Sequence, residues 1–324
     1  MKARLNYYQR IFSAYLINRK SHLTFWHGTP LQNENSKVGE IGEYYMPFLY
    51  KAEYQGPFDE NGIPMLDYKG KIEKQYNPIA IAQYGLGNYN LYKKTKKYIY
   101  NEKFIQAANW LINNIEKNKF GIFVWNHKFD WEYFQTLKAP WYSALAQGQG
   151  ISLLTRSFIE TKEDKYLLTA NKAFEALIKE IKNGGVLFID KNKNWWLEEY
   201  LVEPPSHVLN GFIWALWGVY DYFLVTKEKK AFDLYENCLK TLNENLYRYD
   251  IGYWSLYDLS NNRLRTIASH FYHNLHIVQL NIMYKLTGNN TFLEYSNKWD
   301  DYKRKKINIW KSICHKSLFK LLYY

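Results

Sequence analysis

The chain has 324 residues and a mass of 39.0 kDa, which suits one large domain or two of ordinary size. Hydrophobic residues make up 47% of it, which is ample for a buried core, and the lack of low-complexity tracts argues against a disordered chain. The formal charge of +12 favours an anionic partner, and charge alone does not choose among nucleic acid, a membrane surface and an acidic glycan. Zinc-finger spacings, RNA-binding signatures and a phosphate-binding glycine loop are lacking from the sequence, so we expect no nucleic-acid partner.

The cysteines and the N-terminus indicate a compartment. Cys238 and Cys314 lie in predicted helices far apart in the sequence, which is typical of reduced cysteines in a cytoplasmic protein and not of a disulfide framework. Residues 1–20 are basic but lack a continuous apolar run and a small-residue cleavage site, so we expect neither a signal peptide nor a membrane span. The expected location is therefore the cytoplasm.

Helical periodicity organises the chain from residue 77 onward. One kind of segment is apolar on nearly every face, as expected of a buried inner helix, and the next carries a single apolar stripe, as expected of an outer helix. The mixed segment 1–70 before them shows no core of its own, and its turn-rich end at 56–62 is expected to close over one rim. The predicted inner and outer helices form four pairs: 77–85 with 103–116, 143–160 with 164–182, 206–224 with 229–246, and 270–287 with 290–305.

Three of these pairs follow a short stretch that starts with glycine and continues with aromatic and β-branched residues. The stretches begin at Gly121, Gly185 and Gly252, and a polar turn follows each, so each predicts a short β-hairpin. Their starts lie roughly 65 residues apart, which is longer than a short solenoid repeat. The sequence therefore predicts a mainly α fold, an incomplete (α/α) toroid of about four helix pairs with short β-hairpins on one rim. A plain helical bundle is the alternative.

The predicted fold divides the chain into three parts and indicates where a functional site would lie. We expect an N-terminal extension at 1–70 that packs on the toroid, the toroid itself at 71–302, and a basic amphipathic tail at 303–324. Loops that share one rim are where a site is expected.

The most informative loop joins the second predicted hairpin to the helix that follows. It places two carboxylates and a phenol, Glu198, Glu199 and Tyr200, directly after the aromatic pair Trp195 and Trp196. Acids, a phenol and aromatic walls in one loop suit proton transfer on a ring-shaped polar substrate. The alternative is that the acids are solvated and the tryptophans belong to the core.

Five motifs occur in order along the chain: 78–86 (PIAIAQYGL), 143–149 (SALAQGQ), 198–200 (EEY) with 208–212 (VLNGF), 256–259 (LYDL) and 272–276 (YHNLH). Together they closely resemble the catalytic domain of the D-glucuronyl 5-epimerases, which modify heparosan and heparan. The resemblance implies inversion of carbon 5 of D-glucuronate within an acidic, heparosan-like polysaccharide to give L-iduronate, without a nucleotide or redox cofactor.

The resemblance also implies a catalytic set, Glu199, Tyr257 and Tyr272, and all three fall on the predicted rim. Inversion needs a base on one face of the sugar, an acid on the other, and stabilisation of the enediolate formed between them. We expect Glu199 and Tyr272 on opposite faces with Tyr257 assisting, while the direction of proton transfer and the choice between Glu198 and Glu199 stay open. To work near neutrality, Glu199 needs its pKa raised by burial, and a tyrosinate needs a nearby cation.

Nine further residues are predicted to contact the substrate. Arg263 and Arg265 are candidates to clamp the uronate carboxylate, with plain surface charge as the alternative. His273 and His276 share a helix face and are expected to bond the substrate or to orient Tyr272 in preference to binding a metal. For Gln149 and Asn210, capping or packing within an inner helix is the alternative. The remaining predicted contacts are Tyr84, Trp196 and Tyr200.

The tail, 303–324, interleaves apolar residues with lysines. As a helix it would suit an anionic membrane surface or a partner protein, with a frayed tail as the alternative. We expect peripheral contact with the inner face of a membrane and, by analogy with the family, a homodimer. For the function, a uronate polysaccharide lyase and a non-catalytic glycan-binding module stay open beside the epimerase.

Overall fold

The structure, a computed structural model, describes residues 25, 26, 28–68 and 71–323. The expectations for residues 1–24 lie outside this described part. We number the helices in chain order: α1 (Leu49–Ala52), α2 (Pro78–Thr95), α3 (Tyr98–Asn113), α4 (Ala144–Thr161), α5 (Asp164–Ile178), α6 (Leu209–Thr226), α7 (Lys229–Asn245), α8 (His270–Thr287), α9 (Asn290–Arg304) and α10 (Lys306–Tyr323).

Four of these helices, α2, α4, α6 and α8, form an inner layer. Each is 18 residues long and buried along much of its length. They pack side by side in chain order, and each also packs against the outer helix that follows it, α3, α5, α7 or α9. The outer helices bury one stripe, such as Leu234, Cys238 and Leu242 of α7. The predicted fold is confirmed: the described residues form an incomplete (α/α) toroid with four inner and outer pairs.

All four inner helices end in the same way. Each ends on a threonine whose hydroxyl donates to the carbonyl four residues earlier and accepts from the backbone N–H two residues later. This arrangement turns the chain sharply into the outer helix. The residue after each threonine has left-handed backbone: Lys96, Lys162, Lys227 and Gly288.

Short antiparallel hairpins lie between the helix pairs. The hairpin predicted from Gly185 is confirmed and consists of β7 and β8. In chain order, β1 (Leu66–Asp67) pairs with β2 (Lys74–Gln75), β3 (Glu116–Lys117) with β4 (Phe123–Val124), β5 (Trp131–Glu132) with β6 (Thr136–Leu137), and β7 (Leu187–Ile189) with β8 (Trp195–Leu197).

The other two predicted hairpins are wrong in detail. Gly121 and Gly252 both have φ of 80° and lie in turns, not at the start of a strand. The turn at Gly121 precedes β4, so that hairpin lies earlier in the chain than predicted. After Gly252 the described residues form only isolated bridges, among them Leu256 with Ile267. In both cases the glycine supplies the positive φ that a turn needs.

The N-terminal segment packs against the inner helices. The hydroxyl of Tyr44 accepts from Gln149 of α4 at 2.6 Å, and that of Tyr45 donates to Asp221 of α6 at 2.6 Å. Asp221 also forms a buried ion pair with Arg156 of α4 at 2.6 Å. The segment therefore joins two inner helices through buried polar contacts. The domain boundaries at 70 and 302 stay predictions.

The C-terminal tail forms helix α10, which packs by one face. His315 and Lys316 lie on that face and donate to the carbonyls of Arg265 and Ile267, each at 3.0 Å. The other face exposes apolar side chains, including Trp310 at 58%. Within the described ranges, no helix is long and apolar enough to cross a membrane.

Candidate active site

A cavity of about 540 Å³ lies at the rim where the inner helices begin. Its walls include the first turns of α4, α6 and α8, through Leu145, Asn210 and Tyr272, and residues 46–51 of the N-terminal segment. The N–H groups at the start of a helix carry partial positive charge. Several helix starts around one cavity therefore favour an anionic ligand there.

The turn after β8 separates the two adjacent carboxylates. Glu198 is fully buried, accepts from the backbone N–H of His207 at 3.0 Å and pairs with the His207 ring. Glu199 lines the cavity and is 5% exposed. The geometry therefore favours Glu199 as the acid at the cavity, whereas Glu198 is held in a structural pair with His207.

The environment of Glu199 suits a proton-transfer group. Burial raises its pKa to about 8; a hydrogen bond from the Tyr200 hydroxyl lowers it, and the charges of Asp258 and Glu198 raise it. Its Oε2 has no hydrogen-bond partner in the described part of the chain. Gly211 provides the space, since a Cβ there would lie 2.9 Å from both Cβ and Cδ of Glu199. A buried carboxyl group with a pKa near neutrality can both take and give a proton.

Three phenols lie beside Glu199. Tyr200 and Tyr272 line the cavity, and the ring of Tyr257 packs edge-on against Tyr272 with centroids 4.9 Å apart. The Tyr257 hydroxyl interacts with those of Tyr200 and Tyr272. Burial raises the pKa of all three phenols, and the negative charge of Glu199 raises it further. Near neutrality these side chains are therefore uncharged proton donors. Among the described residues, no cation lowers their pKa in the way that a tyrosinate would need.

Two residues that sequence reasoning missed hold these phenols in place. Asp258 follows Tyr257 and accepts a hydrogen bond from Tyr133, in the turn between β5 and β6. The Tyr133 ring lies 4.4 Å from that of Tyr200, and the backbone carbonyl of Tyr257 accepts from Leu209 at the start of α6. These contacts join three loops of the rim. No motif marked Tyr133, because its partners lie far away in the sequence.

Three other residues of the cavity wall have an unpaired buried polar atom in the described structure: Nε2 of His127, Oδ1 of Asn210 and Nε1 of Trp214. His127 stacks on Trp141 at 3.8 Å, and its Nδ1 donates to the Trp141 carbonyl at 3.3 Å, which leaves Nε2 as an acceptor. Burial lowers the pKa of His127 to about 3, so the ring is neutral. One donor and two acceptors suit the hydroxyl groups of a sugar. Of the three residues, only Asn210 was predicted.

Three predicted substrate contacts lie in the core and do not line the cavity. Gln149 donates to Tyr44 and so connects α4 with the N-terminal segment. Trp196 stacks on His207 with ring centroids 4.2 Å apart, and Tyr84 is 2% exposed within α2. The prediction of substrate contact for Tyr84, Gln149 and Trp196 is therefore wrong, because their side chains are used in packing.

The predicted histidines and arginines also lie away from the cavity wall. Nδ1 of His273 and of His276 lie 2.8 and 3.0 Å from the hydroxyl of Ser255, and burial lowers the pKa of both rings. They therefore support the loop before α8 instead of contacting a ligand. Arg263 and Arg265 are exposed, so the predicted carboxylate clamp is not formed by them. Across the described residues, no three His, Cys, Asp or Glu side chains cluster as metal ligands.

The chain is an (α/α)-toroid protein whose rim cavity is lined by a buried carboxyl group and two phenols. The family described as D-glucuronyl C5-epimerase C-terminus matches residues 116–301, more than half of the chain. The chain belongs to this family, which confirms the resemblance found in the sequence.

Two curated relatives show the extent of the similarity. An uncharacterized protein of Methanocaldococcus jannaschii is 32% identical over 201 residues, which cover 61% of this chain and 64% of that protein. The D-glucuronyl C5-epimerase of Caenorhabditis elegans is 33% identical over 223 residues, which cover 63% of this chain and 36% of that protein. The chain therefore matches less than two thirds of the length of either relative.

Two solved structures are similar at lower identity. A family 105 glycoside hydrolase of C. acetobutylicum ATCC 824 is 15% identical with a TM-score of 0.47, over 70% of this chain and 63% of that chain. An unsaturated glucuronyl hydrolase specific for heparin is 15% identical with a TM-score of 0.47, over 68% of this chain and 60% of that chain.

Proposed function

We propose that the chain inverts carbon 5 of D-glucuronate residues in an acidic, heparosan-like polysaccharide and so produces L-iduronate. One observation carries the proposal: the buried carboxyl group of Glu199, whose Oε2 has no partner among the described residues, shares a cavity wall with the phenols of Tyr200 and Tyr272. The family match and the helix starts around the cavity support an anionic sugar as the substrate.

The proposed reaction begins with proton removal. Ionised Glu199 takes the proton of carbon 5, and the electron pair of the broken bond moves into an enediolate with the neighbouring carboxylate. Tyr272 then donates its phenolic proton to the opposite face of carbon 5, which inverts the configuration. Glu199 is the base in this direction because its pKa is raised to about 8, whereas burial holds the pKa of Tyr272 above its ordinary value.

The same side chains can restore the site. The step leaves Glu199 protonated and Tyr272 as a phenolate. Tyr200 interacts with Glu199 and with Tyr257, and Tyr257 interacts with Tyr272. A proton can therefore pass along these hydrogen bonds from Glu199 through Tyr200 and Tyr257 to Tyr272. Each phenol that gives up a proton receives another, so Glu199 is ionised again and Tyr272 is protonated again. The return of the proton is favoured because the raised pKa of Tyr272 makes its phenolate a strong base.

Exchange in heavy water tests the proposal. Incubation with heparosan, N-sulfated heparosan and another uronate polymer should place deuterium on carbon 5 and produce iduronate, without new ultraviolet absorbance. A lyase would expel the oxygen on carbon 4 and leave an unsaturated, absorbing sugar. A glycan-binding module would show no exchange, and its binding would survive Glu199→Gln. An unsaturated, absorbing product, or a complete lack of exchange at carbon 5, would contradict the epimerase.

A cytoplasmic location, contact of 303–324 with a membrane and a homodimer stay predictions. The partner that the site supports is the acidic polysaccharide itself.

A further inference from the structure

Lys51 is the one lysine or arginine among the described residues of the cavity wall. It lies in α1, in the N-terminal segment and outside the range 116–301 that matches the family. The residue is 8% exposed. Its ammonium group has no carboxylate partner among the described residues, although both Glu53 and Glu199 line the same cavity.

Aromatic rings surround the Lys51 ammonium group. Nζ lies 4.4 Å from the ring centroid of Phe25, 5.0 Å from that of Trp26 and 5.6 Å from that of Phe48. It donates one hydrogen bond, to the carbonyl of Phe25 at 3.0 Å. An ammonium group has three N–H donors, so two have no acceptor among the described residues. Ring faces attract a cation but do not replace an anionic acceptor.

We propose that Lys51 binds the carboxylate of the uronate ring and stabilises the enediolate formed from it. This inference rests on the proposed function, because the enediolate arises only if carbon 5 loses its proton. That step adds a second negative charge to the oxygens of the carboxylate group, where a fixed cation in a dry cavity has its largest effect. A neutral hexose gives Lys51 no anionic partner, so Lys51 would select uronate from neutral polymers.

A buried ammonium group without a partner is unfavourable. Burial lowers the pKa of Lys51 to about 7. The substrate carboxylate would restore a charge partner and favour the protonated form. Arg263 and Arg265 cannot provide this contact from their exposed positions.

The pH profile of kcat/KM should therefore show two limbs. Lys51 must be protonated and Glu199 ionised, so kcat/KM should follow a narrow bell between pKa values of about 7 and about 8. Lys51→Met should remove the falling limb and leave a rise to a plateau above the pKa of Glu199. Burial alone lowers the pKa of Lys51. The other ionisable groups on the cavity wall do not contribute to this lowering: Glu53, Tyr50, Tyr68, Tyr200, Tyr272 and His127.

Two substitutions in the full chain test the inference. Lys51→Met should lower kcat/KM for exchange at carbon 5 of a heparosan oligosaccharide about 100-fold. Lys51→Arg should recover most of the loss, because it restores a cation that cannot act as a base. Lys240→Met, on the outer helix α7, changes the same charge at an exposed position and should leave the rate unchanged.

Thermal unfolding and calorimetry separate this role from a structural one. Lys51→Met should keep or raise Tm, because it removes a buried charge that has no carboxylate partner in the described part of the chain. Wild type should bind the oligosaccharide more tightly than its carboxyl-reduced form, and Lys51→Met should not distinguish them. A structural lysine would instead lower Tm and leave this preference intact, which would overturn the inference.

The outcomes also distinguish this inference from the proposed function. If wild type exchanges carbon 5 and Lys51→Met keeps the same kcat/KM, the inference fails while the epimerase stands. If folded Lys51→Arg is as inactive as Lys51→Met, a base has been lost and the cation role is wrong. If wild type prefers the carboxylated ligand through Lys51 but exchanges no proton, the proposed function fails together with the role of Lys51 toward the enediolate, while the binding of the carboxylate by Lys51 stands.

Discussion

Gly211 controls the position of Glu199, so Gly211→Ala moves the carboxyl group without changing its chemistry. The new Cβ would lie 2.9 Å from both Cβ and Cδ of Glu199 and closer still to Oε2. The Glu199 side chain must therefore turn away from its place in the cavity wall. A displacement of about 1 Å at a catalytic group lowers the rate by roughly 100-fold.

The free energy of unfolding should change much less than the rate. Alanine is favoured over glycine in a helix by about 1 kcal/mol, whereas overpacking costs about 1–3 kcal/mol. The net loss of stability for Gly211→Ala is therefore at most about 2 kcal/mol. Gly85→Ala in α2 is a matched control, because its Cβ would lie 2.7 Å from Leu153 and 2.9 Å from Ala107, away from the cavity.

The assay is kcat/KM for exchange at carbon 5 together with thermal unfolding of each variant. Gly211→Ala should lose about 100-fold in kcat/KM, while Gly85→Ala should lose stability and keep the rate. Adding Gly211→Ala to Glu199→Gln should cause no further loss. The reasoning is refuted if Gly211→Ala has the wild-type rate while Glu199→Gln is inactive.

The pH profile, the buried ion pair and the exposed face of α10 give three more tests. Because Glu199 is a base only when ionised and its pKa is about 8, kcat/KM should rise about tenfold per unit between about pH 5 and 7; a flat profile would count against it. Asp221→Asn breaks the buried pair with Arg156 and should lower the free energy of unfolding in urea by about 3–5 kcal/mol. Asp233→Asn in an exposed pair should change it by less than about 1 kcal/mol, so equal losses would contradict the difference in burial. Trp310→Glu should release the chain from anionic vesicles, and wild type that never sediments with them would end the membrane prediction.

Substitution on α10 is a cleaner test than deletion of 303–324. His315 and Lys316 donate to carbonyls of the loop that also carries Tyr257. Deletion is therefore expected to lower activity as well as membrane binding. Trp310 lies on the exposed face, so Trp310→Glu should keep activity on a soluble oligosaccharide.

The fold could be predicted because burial leaves a local record in the sequence. A helix such as α6 is buried along most of its length and reads as apolar throughout, whereas α7 shows one stripe, Leu234, Cys238 and Leu242. The glycines were harder to interpret. Gly121 and Gly252 supply positive φ in turns but resemble strand starts in the sequence.

The site could be predicted only in part, because its walls come from distant segments. The motifs marked Glu199, Tyr200, Asn210 and Tyr272, which do line the cavity. They did not show that Gln149 and Trp196 turn into the core, since that depends on partners at Tyr44 and His207. Lys51 and His127 carried no motif, and only the path of the chain brings them to the same cavity.

The central claim is that Glu199 and Tyr272 act on opposite faces of a bound glucuronate. Nuclear magnetic resonance of a heparosan oligosaccharide in heavy water tests it most directly, with Tyr272→Phe and Glu199→Gln compared with wild type. Tyr272→Phe should place deuterium on carbon 5 of glucuronate without forming iduronate, because Glu199 still removes and returns a proton on its own face. Glu199→Gln should do neither. Deuterium uptake in folded Glu199→Gln, or inversion at the wild-type rate in Tyr272→Phe, would contradict the claim.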